Sequence, residues 1–173
     1  LETVISYIES LLDALGTRYP IAVLRETADG IAATIAGVPD KTLRRPEGPG
    51  KWSVGEVIHH LSDSELVGAF RFRMVLSHDR PEIPGYDQNL WIERLHTPPG
   101  DIAEALEAFR FLRAANVRVL SALTPAQRDR VGVHSERGEE SVGYMTRLYG
   151  GHDTVHRRQI DRILASVTAA PVR

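Results

Sequence analysis

GHDTVHRRQI, residues 151–160, sets His152 and His156 four residues apart. On an α-helix that spacing makes them neighbours on one face. Met145, Leu148 and Tyr149 before them, and Ile160 and Ile163 after them, share that face. The segment therefore reads as a long helix, starting near Ser141, that turns an apolar stripe and two imidazoles toward a core. Two readings are open at this point. Core imidazoles can be bonded to backbone or water, since an unsatisfied buried polar group costs about 1–3 kcal/mol. Alternatively they ligate a metal, which needs a further ligand from another helix.

Working outward, the best partner segment is KWSVGEVIHHLSDSEL, residues 51–66. Ser53 followed by Glu56 is a capping box, so a helix starts here. Val54, Val57, Ile58, Leu61, Gly68, Phe72, Val75 and Leu76 give it an apolar face ending near Ser77. His59 and His60 are adjacent and so diverge by about 100° around the axis. His60 falls with Val57, Leu61 and Ser64, whereas His59 falls with the more polar Gly55, Glu56, Ser62 and Asp63. Of the two, His60 is the better ligand candidate.

Three more helices are predicted. Residues 1–15 carry Val4, Ile5, Ile8, Leu11, Leu12 and Leu15 at helical spacing, stopped by Gly16. A second begins at Pro20, with stripe residues Ile21, Leu24, Ala28, Ile31 and Ile35, and ends at Gly37 and Pro39. A third is capped by Asp101 and carries Ile102, Leu106, Phe109, Leu112, Val119, Leu120 and Leu123. Residues 43–52 read as a Pro- and Gly-rich loop. Residues 78–100 read as a crossover with short helical turns near 88–94. Residues 124–130 read as a helical turn at most, and 131–140 as a loop or a short extended piece. No segment shows convincing period-2 alternation. The expected fold is all-α: a four-helix bundle over residues 18–168, an extra helix over 1–17 and a tail over 169–173.

Composition narrows the chemistry. The chain has 173 residues, a net charge of -2, 42% hydrophobic and 25% charged residues, which is ordinary for one globular domain. Neither sign of charge dominates, so nucleic acid and membrane surfaces are not expected partners. The absence of cysteine excludes disulfides, thiolate zinc sites and cysteine nucleophiles. Any metal must be held by His, Asp, Glu or solvent. No apolar run reaches about 18 residues, the length of a spanning helix. The first residues lack the basic region and cleavage site of a signal peptide, so a cytoplasmic location is expected.

The order RYP (18–20), LRRPEGPGKWSVGEVIHHLSDSELVGAFRFRMVLS (43–77), PGYDQNLW (84–91), EALEAFRFLRAANVRVLSAL (104–123) and GHDTVHRRQI resembles the DinB/YfiT-like superfamily. The likeness spans roughly residues 18–165. Its specific parts are the W-S helix start, H-L-x-D-S-E, and H-D-x-x-H-x-x-Q-I. The resemblance implies a down-up-up-down bundle with a divalent metal at one end, held by His60, His152 and His156. It implies a metal-dependent hydrolase, or an S-transferase using a low-molecular-weight thiol as cosubstrate, acting on a small molecule. Three neutral imidazoles suit Zn²⁺, Ni²⁺ or Fe²⁺. Three protein ligands leave a position open, as catalytic rather than structural sites do. No serine nucleophile or acid–base pair completes a catalytic set, so a non-catalytic metal- or ligand-binding module fits the same residues.

Ligating histidines usually give their second N–H to a carboxylate or carbonyl. Glu56 and Asp63 lie one turn either side of His60 and are candidates, although Glu56 also serves the cap. Asp153 adjoins His152 but points elsewhere. Gln159 lies one turn beyond His156 and either contacts a ligand or is a surface or interhelix amide. Asn116, on the Leu112–Leu120 stripe, either orients substrate or satisfies an internal hydrogen bond. Glu65 and Arg71 read as surface or interhelix charges, and Tyr86, Asp87 and Trp91 as a cover for the metal mouth. His78, His96 and His134 have no partner spacing. The stripe Val4, Ile8, Leu11 and Leu15 must be buried on the bundle or on a second copy, so a homodimer is expected.

Overall fold

A computed structural model describes residues 2–169. Leu1 and residues 170–173, most of the expected tail, lie outside the described residues. The elements are α1 (Glu2–Leu15), α2 (Pro20–Ile35), α3 (Asp40–Leu43), α4 (Val54–Ser77), β1 (Glu82–Ile83), α5 (Gln88–Leu95), α6 (Ile102–Ser121), α7 (Pro125–Arg128), β2 (Val131–His134), β3 (Gly138–Ser141) and α8 (Val142–Ala169).

The predicted start signals act where expected. Ser53 accepts from the Glu56 N–H while Glu56 reaches back to the Ser53 N–H at 2.7 Å. Asp101 accepts from Glu104 N–H to start α6, and Asp87 caps α5. Gly16 ends α1 at φ 59°, a left-handed conformation that costs a glycine nothing. Each cap satisfies N–H or C=O groups that a helix end leaves unpaired.

Helices α2, α4, α6 and α8 form the bundle, in the spatial ring α2–α6–α4–α8. Contacts fix their directions. Leu24 meets Arg113 and Asp29 meets Arg110, so α2 and α6 run antiparallel. Gly55 meets Ile102 and Glu65 meets Asn116, so α4 and α6 run parallel. Pro20 lies by Gly150 and Gly30 by Arg157, so α2 and α8 also run parallel. The topology is therefore down-up-up-down. The parallel pair α4 and α6 needs the long crossover over residues 78–101, as the two Pro clusters suggested.

The apolar core is split in two. One cluster holds Ile31, Val57, Ile58, Leu61, Leu106, Phe109, Ile160 and Ile163; the other holds Ile21, Leu24, Phe72, Val75, Val117, Leu120, Val142 and Met145. Between them lies a polar layer with Glu65, Arg113, Asn116, Asp153 and His156, all buried, and buried His60 borders it from the first cluster's stretch of α4. His60 lies in the second turn of α4, among Val57, Ile58 and Leu61 of the first cluster, and His156 lies one turn before Ile160 of the same cluster.

Two features outside the bundle close its side. The stretch 131–140, read as a loop or a short extended piece, is extended and forms a hairpin: β2 pairs antiparallel with β3, and β1 adds in parallel from the crossover. Helix α1 packs on α8. Its contact is close enough that a Cβ on Gly151 would collide with the Leu11 carbonyl. Of the α1 stripe, Leu11 and Leu15 are buried there, while Val4 and Ile8 are half-buried. No helix among the described residues is long and apolar enough to cross a membrane.

Candidate metal centre

His60 projects from the second turn of α4, and His152 and His156 from the middle of the antiparallel α8. One nitrogen from each lies within 4.8 Å of the others. His60 Nε2 and His152 Nε2 are 3.0 Å apart. The ring centroids of His152 and His156 are 4.3 Å apart, and those of His60 and His156 4.7 Å. Trp52 covers a further side of His60 at 5.1 Å between ring centroids. His59 points away, stacked on His96.

The donor set fits a divalent ion. Nitrogens bound at about 2.0–2.1 Å to one tetrahedral ion lie about 3.3 Å apart, close to the spacing of the His60–His152 pair. All three imidazoles are held neutral, the form that ligates. Burial lowers His60 well below the usual imidazole range, helped by His156. Burial does the same to His152, helped by His156, His60 and Arg113. His156 is lowered by burial, opposed by Gln159 and Asp153. Gln159 Oε1 lies 2.7 Å from His156 Nδ1, so that nitrogen carries the proton and Nε2 keeps its lone pair.

Gln159 is therefore the candidate that reaches a histidine of the cluster. Glu56 and Asp63 do not, which corrects their assignment beside His60. Glu56 is held by Ser53 and by the Thr97 hydroxyl at 2.9 Å. Asp63 lies 2.8 Å from His96 Nε2. Asn116 donates to Glu65 Oε1 at 2.8 Å and accepts from Arg73, an internal role away from the cluster.

The charged part of the layer was not expected. Arg113 of α6 pairs with Asp153 of α8 and with Glu65 of α4. Burial opposes its charge, but Asp153 and Glu65 overcome this and raise its pKa. Two carboxylates against one guanidinium leave one formal negative charge beside three neutral rings, which favours a cation. The available signal was position: Glu65 lies four residues after Leu61, and Arg113 four after Phe109, both on apolar stripes.

A cavity of about 310 Å³ opens onto His152 from the side. Its apolar wall is Val4, Ile8 and Leu11 of α1 with Leu148; Arg71, Tyr86, Asp87, His134 and Arg137 supply polar groups. Tyr86 and Asp87 do line it, while Trp91 stands behind Tyr86 at 4.7 Å between ring centroids. Gly68 makes room for Tyr149, whose ring a Cβ there would meet at 2.7 Å.

Fold and site together define a helical bundle with a three-histidine candidate metal centre beside a mixed polar and apolar cavity. Residues 24–160 match the model of the DinB superfamily, and the chain belongs to that family. It is 28% identical over 142 residues to a protein of Geobacillus thermodenitrificans named "Putative metal-dependent hydrolase", covering 81% of this chain and 79% of the other. It is 29% identical over 119 residues to Bacillus subtilis YfiT, which carries the same description, covering 69% and 67%. The solved structure of YfiT matches with a TM-score of 0.78 at 27% identity over 83% of each chain; it is described as "a probable metal-dependent hydrolase with an unusual four-helix bundle topology".

Proposed function

We propose that the chain is a metal-dependent hydrolase of a small molecule, with zinc or nickel held by His60, His152 and His156. The observation that carries this is the convergence of three neutral imidazoles where a cavity meets His152. A bound divalent ion supplies Lewis acidity at neutral pH. The chain's own residues hold and orient. Gln159 sets the tautomer of His156. The Arg113–Asp153 pair fixes the height of α8 against α6. Val4, Ile8, Leu11 and Leu148 give the cavity beside His152 an apolar wall. Hydrolysis is preferred to transfer from a low-molecular-weight thiol because the relatives' names carry it.

The test is metal content by mass spectrometry on protein purified without a metal-affinity tag, with His156→Ala alongside. About one equivalent of zinc or nickel, lost in the variant, is expected, followed by turnover in an ester and amide screen. Metal retained at full occupancy by the variant, or none taken up at neutral pH, overturns the reading. A thiol conjugate formed without any hydrolysis replaces hydrolase by transferase.

A further inference from the structure

Arg71 sits on α4 eleven residues, about three turns, beyond His60, and lines the same cavity as His152. It is 6% exposed. Its partners are neutral: it donates to the Pro84 carbonyl at 2.6 Å and to the Tyr149 hydroxyl, and lies 5.9 Å from the centre of the Tyr86 ring. Its Nε is buried without a hydrogen-bond partner. Among the described residues no carboxylate forms an ion pair with it. Buried charges are normally paired, and among the described residues this guanidinium has no counter-ion.

We propose that Arg71 anchors the carboxylate of an elongated substrate whose opposite end is presented at His152. The inference rests on the hydrolase reading and adds the substrate class to it.

Three observations shape the ligand. His134, on β2, is a second unpaired donor at the cavity. Its Nδ1 accepts from Glu136 N–H at 3.2 Å, so the neutral ring carries its proton on Nε2, which is buried without a partner. Burial, with Arg137 and Arg71, lowers this imidazole to about 4 and keeps it neutral. The fork of Arg71 suits the planar, two-oxygen geometry of a carboxylate, and His134 is near enough for the Arg71 charge to act on it. The other cation at the cavity is already matched: Arg137 gives Nη2 to Glu140 at 2.9 Å. Asp87 and Glu136 add negative charge to the same wall. One uncompensated cation among acids selects a monoanion over a phosphate dianion. The apolar wall of α1 and Leu148 takes the chain between the two ends.

The experiment is calorimetric titration of the full chain with 4-phenylbutyrate and with its amide, metal-free and zinc-loaded. The carboxylate should bind the metal-free protein at least tenfold more tightly than the amide, and inorganic phosphate should not compete. Arg71→Gln should bring the carboxylate down to the amide's affinity while leaving the amide unchanged. Arg71→Lys, which keeps charge without the fork, should fall between. Equal binding of acid and amide, no binding of the acid, or competition by phosphate overturns the proposal. So does acid binding that needs zinc and survives Arg71→Gln, since the metal would then hold it. If the variants do not fold, the wild-type comparison of acid and amide without metal still decides. Failure of the hydrolase reading looks different: zinc is not taken up, yet acid and amide are still distinguished.

Discussion

Arg113 of α6 grips Asp153 of α8 with both terminal nitrogens, Nη2 standing 3.0 Å from Oδ1. The same guanidinium reaches Glu65 of α4 at 2.8 Å and the Leu24 carbonyl of α2 at 3.1 Å. One side chain thus ties all four bundle helices at the height of the histidines. Replacing it by Met leaves two carboxylates buried without their cation. Arg113→Met should cost about 3–5 kcal/mol in urea unfolding, as loss of one partner of a buried ion pair does. A loss below about 1 kcal/mol would show that water reaches this layer.

Gln159 acts on the site through His156. Gln159→Leu removes the acceptor that holds the proton on Nδ1. Zinc affinity, measured by competition with a chelator, should fall about 10–100-fold, as for other partners of metal-bound histidines. Unfolding of the metal-free protein should change by less than about 1 kcal/mol. Unchanged affinity would mean that the tautomer is set by something else.

Gly151 is where α1 lies against α8. Gly151→Ala drives a Cβ into the Leu11 carbonyl, which belongs to backbone and cannot swing aside. The expected cost is about 1–3 kcal/mol from overpacking. Amide exchange should accelerate in residues 4–15 and the apolar cavity wall should be lost. Exchange in α1 identical to wild type would disprove this docking.

The pH dependence follows from the buried imidazoles. His134 titrates near 4 when folded and near 6.5 in an unfolded chain. Between those values the unfolded state binds more protons, so stability falls as pH falls. His60, His152 and His156 are lowered too and act in the same sense. The metal-free protein should be fully stable above about pH 6.5 and lose stability progressively toward pH 4, by up to about 1.4 kcal/mol per pH unit for each proton. His134→Asn should make the acid limb of a melting-temperature profile shallower. An unaltered limb would mean that His134 is not held neutral.

The helices were legible because their signals are local. Ser53 with Glu56, Asp101, Pro20 and Gly16 each act within a turn, and stripes of period 3.6 run between them. The choice of His60 over His59 came from the same periodicity, which also brought His152 and His156 onto the inner face of α8. The hairpin was not legible, and β2 shows why. Its buried positions are Gly132 and His134, while Val131 and Val133 are the half-buried ones, so the apolar alternation is inverted. It is held instead by Ile83 and Val75 packing where Gly132 has no side chain, from segments about 50 residues away.

Spacing along the chain thus settled which residues share a helix face, since that depends on neighbours three and four apart. It could not settle what a face meets. That Glu65, Arg113 and Asp153 close into one buried ion cluster, that α1 walls the cavity, and that Arg71 stands without a counter-ion among the described residues depend on contacts between helices distant in sequence. Those are decided when whole faces dock, because the cost of burying a charge is set by what stands opposite it.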